Sequence, residues 1–178
     1  MNEGLAALAA DGVDGVRTDR IAATLSLTKG SFHHHFAGIH DYRRALLERH
    51  EHDQLVVLQN ISVEIEPLPA DEAIRMLPDR LAELFNTDLE RAVRSWAFSD
   101  PAARAVQERL DAARLHFLRE LWTPILGDER RAMVAALVPH LIAIGASMVQ
   151  PSLPADDLSD VFELLSALAP GVSRFTKP

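Results

Sequence analysis

The chain has no cysteine among its 178 residues. Disulfides, cysteine nucleophiles and cysteine-ligated zinc are therefore excluded. A long apolar run is also missing. The longest, Met133 to Met148, is interrupted by Pro139, His140, Gly145 and Ser147, and it falls short of the roughly 18–20 residues that a membrane span needs. The opening MNEGLAALAADG carries no basic residue, unlike a secretory signal. A cytoplasmic protein with no membrane partner is expected. There is no glycine-rich phosphate loop, nucleophile elbow, HExxH or paired-carboxylate motif, so neither an enzyme nor a cofactor is expected. No repeat, low-complexity segment or alternating strand pattern occurs either.

What is present is ordinary for a globular protein: 48% hydrophobic and 25% charged residues. The net charge of −8 argues against a general nucleic-acid binder, which shows a basic face. The charge is unevenly spread, however. Residues 1–50 hold six basic and six acidic residues together with His33, His34, His35, His40 and His50, so the whole excess lies in residues 51–178. Such asymmetry suggests two tasks.

Glycine and proline punctuate helical patterns along the whole chain. GVDGV (12–16) breaks a first short helix. Thr18 to Leu25 and Thr28 to His35 follow as short helices with threonine caps. From Ile39 a long pattern begins, with Tyr42 and Leu46 on one face and Leu55, Leu58 and Ile61 resuming the stripe. The intervening ERHEHDQ (48–54) is polar all round, as where a helix crosses between packed units. Asp71 to Phe85 contains Pro78, which predicts a kink or a later start. Asp100-Pro101 is a clear helix start. Ala103, Val106, Leu110, Ala113, Phe117 and Leu121 then repeat at helical steps until Pro124 and Gly127. Asp128 to Met148 is apolar on almost every face, which predicts burial on all sides. A last helix spans Asp156 to Leu168. The expected architecture is all-α with about nine helices: residues 1–46 as a compact three-helix unit with the start of a fourth helix, and 47–178 as a larger helical bundle.

The segment GVDGVRTDRIAATLSLTKGSFHHHFAGIHDY (12–42) has helix-turn-helix spacing. Two short helices lie about 3–4 residues apart, which presents the second to a major groove. Ile21, Leu25, Leu27, Phe32 and Phe36 are its apolar positions. Thr28, Lys29, Ser31, His33, His34 and His35 are left to point outward toward phosphates and base edges. Spacing alone fits a generic three-helix surface equally well. The triple histidine does not form a metal site, because neighbouring helical residues point about 100° apart. His50 and His52 have the same difficulty.

These residues resemble the TetR/AcrR family of transcriptional regulators. Ile21-Ala22, Leu25, Leu27-Thr28-Lys29-Gly30-Ser31-Phe32 and His35-Phe36 are similar to its signature IA..LGVSKGSLYYHF, over roughly residues 5–47. ERAVRSWAFSDP (90–101) and the long helix after it are similar to a common C-terminal subtype. The resemblance implies a homodimeric repressor on a palindromic double-stranded operator, relieved by a small apolar or amphipathic effector. It implies a helix-turn-helix DNA-binding domain over residues 1–46, a ligand-binding and dimerisation domain over 47–178, and dimerisation through residues 128–150 and 156–169. It assigns DNA contacts to Thr18, Thr28, Lys29, Gly30, Ser31, His33, His34 and His35. Ser26 stands at the family's turn glycine, His33 at a phosphate-binding tyrosine and Ile39 at a phosphate-binding lysine. Binding weaker or more pH-dependent than the family's norm is therefore expected. The alternative is a TetR-like helical protein with weakened or lost DNA binding that acts through a ligand or protein partner.

For the effector, Leu81, Phe85, Trp96, His116, Phe117, Met133 and His140 are the candidate lining. Phe98 and Trp122 are further aromatic candidates. The competing reading of each is plain core. His116 and His140 are the polar groups most suited to orient a ligand, since pockets carry few such groups.

Overall fold

A computed structural model describes residues 1–24, 29–84, 87–151 and 153–168, with backbone alone at 29, 71, 78–79, 81–84, 87, 155 and 166–168. The fold is all-α. Among the described residues there are nine helices and no strand. They are α1 (Asn2–Gly15), α2 (Thr18–Thr24), α3 (Lys29–His35), α4 (Ile39–Ile65), α5 (Ala70–Leu84), α6 (Thr87–Ala97), α7 (Pro101–Leu126), α8 (Glu129–Met148) and α9 (Ala155–Leu168).

The helices begin where the sequence supplies caps. Asp100 Oδ1 accepts from the amides of Ala102 (2.8 Å) and Ala103 (3.0 Å), with Pro101 at the first helical position. Asp128 Oδ1 accepts from Arg131 N at 2.8 Å and opens α8. Each cap satisfies amides that the helix itself leaves unpaired. Inside α1 the path is broken at Gly12, whose φ of 68° lies where L-residues rarely go. Of the proline expectations, the later start is corrected: α5 begins at Ala70 and continues through position 78. α7 continues past Pro124 and ends at Leu126, just before Gly127. Pro124 sits in the final turn of α7, where it removes one hydrogen bond from a helix already anchored upstream. Leu121, Trp122 and Ile125 pack that turn onto a core.

The chain divides into two compact units. The first comprises 1–55 and 87–110, the second 56–86 and 111–178. These packing units do not coincide with a division at 46/47. α6 belongs with the N-terminal helices because it packs along α1. Leu8, Ile21, Phe32, Tyr42 and Leu46 share one core with Val93, Trp96 and Leu110. In the second unit α5 packs on α9. Ile61, Ile74, Phe117, Ala136, Ala143 and Phe162 form its core. α4 and α7 each contribute to both units. The polar stretch 48–54 of α4 is not exposed all round: His50 is buried.

α8 departs from the expected burial on all sides. Ala132, Ala136, His140, Ala143, Ala146 and Ser147 make one buried face. Val134, Val138 and Leu141 are exposed, Leu141 at 58%. Small residues lie inward because they allow close approach to neighbouring helices. The larger apolar side chains are left facing outward. α8 is also long and apolar enough, by length and composition, to cross a membrane. Pro139, His140 and Gly145 do not interrupt it, which corrects the shorter run read from the sequence.

Candidate nucleic-acid interface

α2 and α3 are separated by residues 25–28, which lie outside the described residues together with the sequence-assigned Thr28. α2 buries Ile21 and Ala22. α3 buries Phe32. Phe32 stacks against Phe36 and Tyr42 with ring centroids 5.5 Å from each, and Phe36 meets Tyr42 edge-on at 4.9 Å. This aromatic triad fixes α3 against the start of α4 in an arrangement that aromatic pairs favour. With Phe32 inward, helical geometry turns its neighbours outward. Gly30, His33, His34 and His35 are exposed, while Thr18 and Ser31 are half-buried. Lys29 opens α3.

Arg43 was not among the sequence candidates, yet it ties α4 to the end of α1 and to the connection that follows it. From α4 it donates through Nη2 to the carbonyls of Val13 and Val16 (both 2.9 Å), and through Nε to Val16 (3.1 Å). It thereby closes the end of α1 and sets the approach to α2. Its only sequence signal is a cation adjacent to the core-facing Tyr42.

The other arginines of residues 1–50 are neutralised locally. Arg17 pairs with Asp19 (2.9 Å), Arg20 with Asp11 (2.6 Å), Arg44 with Asp41 and Arg49 with Asp53 (2.7 Å). The hydrogen bond from Arg17 holds the Asp19 carboxyl below the usual carboxylate range. The basic residues of α3 itself are Lys29 and the three exposed histidines. No group of three or more His, Asp or Glu among the described residues is placed to hold a metal ion.

No family model matches the chain, and no curated protein matches it.

The candidate effector lining is spread over both units and partly lies outside the described residues. Trp96 is buried in the core of the first unit, whereas Phe117, His116, Met133 and His140 belong to the second. Phe85 lies outside the described residues, as does the side chain of Leu81. His116 is exposed at 65% beside Arg119 and Glu120. The stripe Ala113, Phe117, Leu121 turns one side of α7 inward, and position 116, some 100° away, falls outside. Met133 is exposed at the edge of α8. His140 is buried, its Nε2 3.8 Å from Asp111 Oδ1; the same oxygen lies 3.6 Å from Nη1 of buried Arg114. It is a core histidine within a polar cluster. Of the aromatic candidates, Phe98 is 79% exposed and Trp122 half-buried. Of the described members of the set, Phe117 borders an open groove of about 600 Å³ between the end of α4, the start of α5 and α7.

Proposed function

We propose that the protein is a DNA-binding transcriptional regulator of the TetR/AcrR type, which acts as a homodimer on a palindromic operator and is relieved by a small effector. The observation that carries this reading is the exposed edge of α3. A seven-residue helix, four residues after α2, is pinned from behind by Phe32 and turns three consecutive histidines outward. A short helix held by its apolar side with a polar outer side is the arrangement that enters a major groove. The dimer is supported by the apolar outer side of α8, joined in the second unit by exposed Val161 and Leu164 of α9. An apolar area of this kind on a lone chain marks an interaction surface.

Genomic fragments selected at low ionic strength would supply the test DNA. Retention should weaken as salt rises. It should strengthen between about pH 7.5 and 6, because phosphate favours the charged imidazole and binding then takes up protons. Lys29→Ala should weaken retention, by about 1–3 kcal/mol if Lys29 reads a guanine edge. Fragments that fail to bind at pH 6 and low salt would overturn the regulator reading and favour action through a protein partner.

A further inference from the structure

The ionisable side chains among the described residues lining the groove beside Phe117 are both carboxylates. The groove's walls are apolar, with Val63, Leu68, Ala73, Phe117 and Leu121 among them. Its polar groups are Gln59 and Ser62 of α4 and the carboxylates of Glu66 and Glu120, and among the described residues no Lys, Arg or His lines it. The C-terminal end of α4 at Ile65 and the N-terminal end of α5 at Ala70 both line the groove. Their partial charges oppose each other, so the side-chain carboxylates set its sign. Arg119 forms an exposed ion pair with Glu120 Oε1 at 3.2 Å, and His116 Nδ1 stands 3.9 Å from the same oxygen, so the charge of Glu120 is partly offset from outside the groove and Glu66 supplies the larger share. Glu66 carries its charge at an exposed position.

We propose that this groove binds an amphipathic cation: an apolar body seated against Phe117 and Leu121, with its positive centre held between Glu66 and Glu120. A volume of about 600 Å³ lies within the range of small-molecule sites, which pair apolar walls with a few placed polar groups. A surface whose charges share one sign attracts the opposite charge and repels its own. An anionic lipophile of the same shape is therefore disfavoured by the same two carboxylates. The site deepens the proposed regulator by giving its effector a charge class, and its role as an effector site rests on that reading. Binding itself does not.

Tetraphenylphosphonium and tetraphenylborate make a direct test, since they differ little in shape and are opposite in charge. Titration calorimetry on the full chain without DNA should show the phosphonium binding saturably, one per chain. The borate should bind at least tenfold more weakly. Glu66→Gln combined with Glu120→Gln changes two exposed side chains and should weaken the phosphonium at least tenfold, with the helical circular dichroism unchanged. Equal binding of both ions, no binding of the phosphonium, or full phosphonium binding by the double variant would each overturn the site. Phosphonium that binds as expected yet leaves DNA retention unchanged would keep the site and remove its effector role. Absence of DNA retention under every condition would overturn only the regulator reading.

Discussion

Tyr42 is the single tyrosine of the chain. Its ring completes the triad behind α3, but its hydroxyl is buried and finds no hydrogen-bond partner among the described residues. Such a group carries a desolvation cost without compensation. Burial, followed by the charge of Glu3, raises its ionisation above the usual tyrosine range. The folded state therefore favours the neutral phenol, and that preference is lost as alkali ionises it. The tyrosinate absorbance of the folded protein should appear at higher pH than that of the unfolded chain. Tyr42→Phe should leave stability unchanged or raise it by up to about 1 kcal/mol in urea unfolding. Gly4 is coupled to the same hydroxyl: a methyl added there would run into Tyr42 Oη and come within 2.8 Å of Leu46 Cδ2. Gly4→Ala gains about 1 kcal/mol of helix propensity against roughly 1–3 kcal/mol of overpacking. We expect net destabilisation in the native background and a smaller one with Tyr42→Phe, measured as a double-mutant cycle.

At the scale of elements, an ion pair links α4 to α7 within the first unit. Arg109 donates to Glu51 through Nε (2.5 Å) and Nη2 (2.6 Å). That hydrogen bonding holds the Glu51 carboxyl below its ordinary range. A depressed carboxylate stabilises above its unfolded pKa, and the contribution disappears as pH falls through the folded one. Arg109→Ala should move acid unfolding, followed by circular dichroism, to higher pH. Glu51→Gln should flatten the pH dependence below about pH 5. Helix identities were legible because caps and spacing are local: Asp100-Pro101 and the stripe from Ala103 to Leu121 together specify α7. What was not legible is which partner each helix meets. The polar stretch 48–54 hides His50 because a neighbour covers it, and the apolar α8 faces outward because its small residues took the inward side. His116 and His140, both polar residues on otherwise apolar helices, look alike in sequence. Only packing sends one to solvent and the other into the core.

At the scale of the whole molecule, the outer side of α8 and α9 dictates the test of assembly. Leu164 is 60% exposed, whereas Leu165 packs partly onto the core. Leu164→Asp with Leu141→Asp therefore alters the outer surface and spares the fold. Sedimentation should show a dimer for the native chain and a folded monomer for this variant. A native monomer would sink the self-association. Of the candidate interface, the short-helix spacing and the anchors Ile21 and Phe32 were readable from periodicity. The Arg–Asp pairs and the reach of Arg43 were not, because they join residues whose proximity only the folded chain creates.

The division into two units also places the two tryptophans, Trp96 in the first and Trp122 in the second. Each unit thus contains its own fluorophore. Trp96→Phe leaves emission from the second unit alone, and Trp122→Phe leaves the first. Two urea titrations with these variants convert a question of cooperativity into a comparison of colours. Coincident midpoints mean a single cooperative transition, and separated ones mean that one half melts while the other keeps its light.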